Sequence, residues 1–184
     1  MKKTYSSIDE LIKKELKKDE EPNAAILIKE LENVKEKGFI TKDEFLKIGM
    51  WKSPLPKKLY LSNSEQEIKS ISKEVLLTDF EKRKIELLVS LKGVGIPVAS
   101  AILTLIDPKN YGVIDIRVWQ TLFLYGAVNV KPTGRNLNFN NWYNYLMKLR
   151  YYAQKFNVNA RTIEQTLFWY HRKIHEGNLY STGS

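Results

Sequence analysis

The chain has 184 residues, 43% of them hydrophobic and 11% aromatic, and it contains no cysteine. This length suffices to bury about 70% of the unfolded surface in one unit, whereas the missing thiols exclude a disulfide framework, a thiolate nucleophile, an iron-sulfur cluster and a thiolate zinc site. The formal charge of +9 is unevenly spread: residues 1–90 hold 19 Lys/Arg against 17 Asp/Glu, while residues 91–184 hold 11 against 4 and so carry +7.

A basic half of this kind suits a polyanion such as nucleic acid, although solubility alone also accounts for it. No stretch approaches 18 consecutive apolar residues, and residues 1–18 carry no apolar run of the signal-peptide type. A soluble, cytoplasmic protein, associated with the nucleoid in a prokaryote, is expected.

Five helix starts can be read in chain order. Four have the form of a capping box, a hydroxyl residue followed three positions later by Glu: Ser7/Glu10, Thr41/Glu44, Ser64/Glu67 and Thr78/Glu81. The fifth is Asn23 before Ala24. Behind these starts the apolar residues recur at helical spacing, as in Leu27, Leu31 and Val34, or Ile68, Ile71 and Val75. Gly38 closes the second helix, and Ser53-Pro54-Leu55-Pro56 reads as a connection.

A helix from Asp79 to Leu91 stops at Lys92-Gly93-Val94-Gly95, and the next begins with Pro97 in its first turn, where a missing N–H costs nothing. Ala99, Ser100 and Ala101 make one side of that second helix small, so that it can pack close to the first. It ends at Asp107-Pro108. Two glycines in a tight turn between helices present backbone N–H groups suited to a phosphate, though an ordinary helix corner has the same form. Tyr111-Gly112-Val113-Ile114-Asp115-Ile116-Arg117 follows, with Asp115 20 residues beyond Gly95, opening a helix that stops at Gly126.

Two further stripes are Trp142, Tyr145, Leu146, Leu149, Ala153 and Phe156, and then Ile163, Leu167, Tyr170 and Ile174, with Gly177 ending the last helix and residues 181–184 reading as a tail. No alternating strand pattern with a hairpin turn occurs. The expected fold is all-α, with eight to ten helices.

Leu91-Lys92-Gly93-Val94-Gly95, Ala99, Ala101 and Val113-Ile114-Asp115-Ile116-Arg117-Val118 together resemble the helix-hairpin-helix and Gly/Pro-rich-loop-Asp signature of the base-excision DNA glycosylase superfamily. The close match covers residues 91–118; the rest is similar only as an all-α chain. The resemblance implies a single unit of two helical lobes, with the hairpin at about 79–106, the Asp loop and its helix at about 107–125, and an auxiliary lobe built from both chain ends. It also implies a monomer acting on double-stranded DNA, without a membrane and without a cofactor other than a monovalent cation at the hairpin.

Carried over by position, Asp115 falls on the catalytic aspartate, Gly93 and Gly95 on the hairpin glycines, with Lys92 and Val94 between and beside them, and Arg117 on a basic position near the phosphates. The lysine of lyase-active members would stand at Pro97. The resemblance therefore points to the monofunctional branch, which uses water as nucleophile and leaves an abasic site that needs alkali to break.

The chemistry suits one carboxylate: cleaving an N-glycosidic bond builds positive charge on the sugar, and a fixed anion stabilises it. The base must leave the stack for a pocket of aromatic or apolar groups, for which Trp51, Tyr60, Tyr111 and Trp119 are the candidate rings. Each candidate has a plainer role. Asp115 can serve as an N-cap, Trp51 and Trp119 as core rings and Lys52 as a solvated cation. His171 and His175 stand one turn apart but have no carboxylate pattern to complete a metal site. A non-catalytic DNA-binding module, and a lyase using Lys92 or Lys131, remain the competing functions.

Overall fold

The computed structural model describes residues 2–175, and among these it contains helices and no strand. There are eleven helical elements: α1 (Ile8–Glu15), α2 (Pro22–Glu30), α3 (Val34–Lys37), α4 (Lys42–Lys52), α5 (Lys57–Leu61), α6 (Glu65–Leu77), α7 (Glu81–Val89), α8 (Ile96–Ile106), α9 (Ile116–Leu124), α10 (Phe139–Phe156) and α11 (Ala160–Ile174). Most of them, α3 and α5 above all, are too short to stand without tertiary support.

The capping boxes at Thr41 and Ser64 are both formed, and Ser7 accepts from the Glu10 N–H. Thr78 ends α6 instead of starting α7: its N–H donates to the Glu74 carbonyl, and α7 starts after Phe80 with no side-chain cap. Glu81 turns instead to Arg150 and the Tyr111 hydroxyl, so a long-range ion pair has displaced the local motif. Nor does Asn23 start a helix. Glu21 accepts from the Asn23 and Ala24 N–H groups, with Pro22 at the first helical position. The helix expected to run on to Gly38 breaks at 31–33 and resumes as α3, ending on Gly38 at φ 78°. The proline-rich connection is followed by the short α5, and Gly177 and 181–184 lie outside the described residues.

Helix α4 packs against α2, α5, α6 and α8, and α7 against α6 and α8; α11 packs against α1, α9 and α10. The second set brings the N-terminal segment against α11. The Thr4 N–H donates to the Tyr170 hydroxyl and the Lys17 N–H to the Thr166 hydroxyl. A continuous apolar core joins the two sets.

The turn between α7 and α8 is fixed from beneath. Asn63, fully buried, receives the Lys92 N–H at 2.8 Å and donates to the Lys92 carbonyl at 3.0 Å. Tyr60, also fully buried, lies under Gly93 and not in a pocket. Gly93 has φ 85°, and a Cβ there would come within 3.0 Å of Leu59 and Tyr60. Gly95 is different. Its backbone is extended, at φ −97° and ψ 177°, and a Cβ would meet only Pro97 at 3.7 Å. The left-handed backbone thus belongs to the first glycine of the pair. Gly93→Ala should destabilise the fold by about 1–2 kcal/mol from the backbone alone, whereas Gly95→Ala should be nearly neutral, as chemical denaturation of the two variants will show.

Candidate active site

Between the two helix sets lies a cavity of about 300 Å³. The first set contributes Glu21 from the cap of α2 and Trp51 and Lys52 from the end of α4. The second contributes Asp115 and Arg117 from the start of α9, and Arg161, Glu164, Gln165, Phe168 and Trp169 from α11.

The Asp115 loop is extended because its neighbours leave it no alternative. Ser100 Oγ accepts from the Ile114 N–H at 3.0 Å, and the Tyr145 hydroxyl donates to the Val113 carbonyl at 2.7 Å. Gly112 lets this strip pass between α10 and α11: a Cβ there would sit 2.4 Å from Leu149 and 2.9 Å from the Glu164 Cβ. At the end of the strip Asp115 caps α9, its Oδ1 accepting from the Arg117 N–H at 2.9 Å. Its other oxygen, Oδ2, lies 3.2 Å from Lys52 Nζ. Catalytic candidate and helix cap are the same residue.

The Asp115 and Lys52 side chains are only 12% and 17% exposed. That matters because an exposed ion pair contributes little, whereas one shielded from water keeps its geometry and its field. Asp115 also lines a second, more open depression of about 460 Å³ with Pro97, Ile116, Gly134 and Arg135. It therefore stands where a cavity and a surface groove meet, and the groove runs to the first turn of α8.

A buried charge network forms the cavity wall. Arg161 bonds to both Glu20 and Glu164, and Gln165 Nε2 donates to Glu20 at 2.9 Å. Burial opposes the charge on Arg161, but Glu164 and Glu20 outweigh it and hold the guanidinium firmly protonated. For Glu164 burial dominates and lifts its carboxyl above the usual range, against the pull of Arg161 and Lys52; Asp115 adds to the rise. Burial also acts against Glu21, yet the N–H groups of Asn23 and Ala24 and the Trp51 side chain hold it below its ordinary value. Arg161 lies 5.7 Å from the Trp51 ring centroid and Arg117 lies 5.5 Å from that of Phe168.

Of the four rings proposed from the sequence, Trp51 lines the cavity and three do not. Trp119 is fully buried and donates its indole N–H to the Val130 and Lys131 carbonyls. Tyr111 packs on the far side of the Asp loop with Glu81, Lys84 and Arg150. Tyr60 supports the hairpin. Phe168 and Trp169 supply the missing aromatic surface. Arg117, read as a phosphate contact, faces the cavity.

Lys92 and Gly95 are exposed, and Val94 is a buried anchor. His171 and His175 stack with centroids 4.8 Å apart, and His171 Nε2 is bonded to Gln120. Burial is the main reason the His171 imidazole is pushed down to about 4. At the hairpin the Leu91 carbonyl accepts from the Val94 N–H and the Lys92 carbonyl from Asn63.

No family model matches the chain, and neither a curated protein nor a solved structure is found similar to it. Among the described residues, no helix is long and apolar enough to cross a membrane.

The cavity wall predicts a pH-dependent defect. Arg161→Met leaves Glu164 buried without its cation and should destabilise the protein by about 3–5 kcal/mol near neutrality. The folded-state pKa of Glu164 is raised, so its contribution is fully favourable below the unfolded value of about 4.3 and is lost as pH rises through the folded value. Urea melts from pH 4 to pH 8 should therefore show the variant's deficit growing with pH.

Proposed function

We propose that the chain is a DNA glycosylase that releases a damaged or modified base from duplex DNA, as in base excision repair. The observation that carries this reading is the position of Asp115: a shielded carboxylate at the mouth of an aromatic-lined cavity, on the edge of a groove that starts at the hairpin. An everted nucleotide lying in the groove would place its base in the cavity beside Trp51, Phe168 and Trp169 and its sugar against Asp115. The carboxylate then stabilises the cationic sugar and takes the proton of an attacking water. Pro97, in the same groove, offers no amine, which leaves water as the nucleophile for base release.

The surroundings fit a duplex. Gly93 and Gly95 present N–H groups at the start of α8, suited to a phosphate, and Arg135 lines the groove. Leu55 is 94% exposed on the proline-flanked loop that begins beside Lys52. An apolar side chain in that place suits a wedge that unstacks the duplex better than any of the four rings read from the sequence. The resemblance in residues 91–118 points the same way.

The second reading, a non-catalytic DNA-binding module of one subunit, draws on one observation: Asp115 caps α9 and pairs with Lys52, which is structural work enough for one carboxylate. Duplexes that each carry one lesion, incubated with the protein and then treated with alkali, separate the two. Base release is expected from at least one lesion. Asp115→Asn, which still caps a helix, should lower the single-turnover rate about 10²- to 10³-fold with little loss of DNA affinity. Unchanged excision by this variant contradicts the assignment.

Binding to undamaged duplex should also weaken steeply with salt, by about 0.9 in the slope of log K against log salt for each phosphate neutralised. Arg135→Ala should reduce that slope by about one. Titration of a single duplex across a salt series measures both.

A further inference from the structure

Helix α10 buries Trp142, Tyr145, Leu146, Leu149 and Ala153, and its Arg150 turns to Glu81 of α7. An amphipathic helix with its apolar side so engaged ordinarily shows a charged or polar outer face. This one is aromatic. Tyr143 is 43%, Met147 45% and Tyr151 55% exposed, at four-residue intervals that set them about 6 Å apart along the helix axis. Phe139 extends the ladder by a turn, its ring stacked on Tyr143 with centroids 5.9 Å apart and planes 19° apart. Lys155 ends it, with Nζ 5.8 Å from the centroid of Tyr151. Asn140, Asn144 and Gln154 stand exposed beside the rungs, with Lys148 partly so. Charge narrows what such a face can meet. From residue 116 to residue 163 the chain carries seven Lys/Arg and no Asp or Glu. Glu81 and Asp9 reach Arg150 and Lys155 from other elements, whereas Lys148 makes no ion pair among the described residues. The ladder also continues the groove: Leu137 lines the groove, Asn138 caps α10 and Phe139 opens it.

We infer that the outer face of α10 binds single-stranded DNA, with unpaired bases on the Tyr143 and Tyr151 rings and phosphates beside Lys148 and Lys155. Exposed rings interleaved with cations are the means by which unpaired strands are held: every base has a face to stack, and the cations follow the backbone. A duplex cannot use the rings, because its base faces are covered by their neighbours. An apolar protein surface fits no better. It would strip water from Lys148 and from the amides between the rings without replacing it, whereas a strand brings phosphates to the lysine and base edges to the amides. None of these residues lines the cavity, and none but their neighbour Leu137 lines the groove. The inference therefore stands apart from the glycosylase reading. What it adds is a preference for DNA with an unpaired tract, as at a gap or a strand end.

Fluorescence anisotropy of an end-labelled thymidine homopolymer, titrated with the full chain, measures this binding. The homopolymer should bind, and Tyr143→Ala and Tyr151→Ala should each weaken it about 5-fold or more. Tyr151→Phe keeps the ring and should bind like the parent. Lys148→Ala should lower the slope of log K against log salt by about 0.7, the value for one phosphate of a single strand. On a blunt duplex of the same length the two alanine variants should keep the parent's affinity. Both tyrosines are half-exposed, so these variants should also melt with the parent, and Tyr151→Phe and Lys148→Ala test the proposal even where an alanine does not. Absence of binding to the homopolymer overturns the proposal, as do alanine variants that bind it like the parent, a loss in Tyr151→Phe equal to that in Tyr151→Ala, or equal losses on the duplex. Sedimentation supplies one further outcome: a parent that self-associates and a Tyr151→Ala variant that does not would make the face a contact between copies of this chain and overturn the assignment to DNA.

Discussion

The arrangement depends on keeping one carboxylate charged while shielding it from most of the water around it. Isolated charges removed from water are costly, and such groups persist where hydrogen bonds or opposite charges replace the lost hydration. Asp115 meets that requirement with one oxygen on the Arg117 N–H and the other against Lys52. The first contact belongs to α9 and the second to the end of α4, so the carboxylate ties the two helix sets together at the mouth of the cavity. The Arg161, Glu20 and Glu164 network repeats the principle one layer further in, where Glu164 is buried too deeply for its cation to cancel the effect. Such networks contribute little net stability compared with an apolar wall. Their presence along a cavity, in place of leucines, is what a site for polar chemistry would require.

The same carboxylate connects two surfaces of different character. On one side are Trp51, Phe168 and Trp169, able to stack against a planar group; on the other is a groove with Arg135, running to the start of α8. A ligand that fills both must carry a flat apolar part and a charged chain joined near Asp115. A nucleotide everted from a strand has this form. Lys52 and Pro97 divide the surroundings of the carboxylate between them, the lysine on the cavity side and the proline on the groove side.

Much of the fold could be read from local signals, because its helices obey local rules. The boxes at Thr41 and Ser64, the proline in the first turn of α8 and the stripe from Trp142 to Phe156 are short-range patterns, and the structure keeps them. Some of the readings that failed involve partners far apart in the chain. Thr78 lost Glu81 to Arg150, 69 residues away, and of the two hairpin glycines only Gly93 takes the left-handed backbone, with Tyr60 beneath it. The cavity was half visible. Asp115 and Trp51 stood out by motif and by ring, while Arg161, Glu164, Gln165 and Phe168, spaced along one face of α11, look in sequence like any solvated stripe. Lys52 reads as a surface cation until the fold shows it against Asp115. Burial of charge is a tertiary property, and no local pattern announces it.

The most direct test of the central claim is the structure of the protein bound to a duplex that carries a tetrahydrofuran abasic analogue. The account predicts that the analogue is everted, with the carbon equivalent to C1′ about 3–3.5 Å from an Asp115 oxygen, the separation of a reactive pose, and with the adjoining phosphates along the groove beside Arg135 and the start of α8. A duplex that stays stacked, or one that lies across another face and leaves the cavity empty, would contradict it.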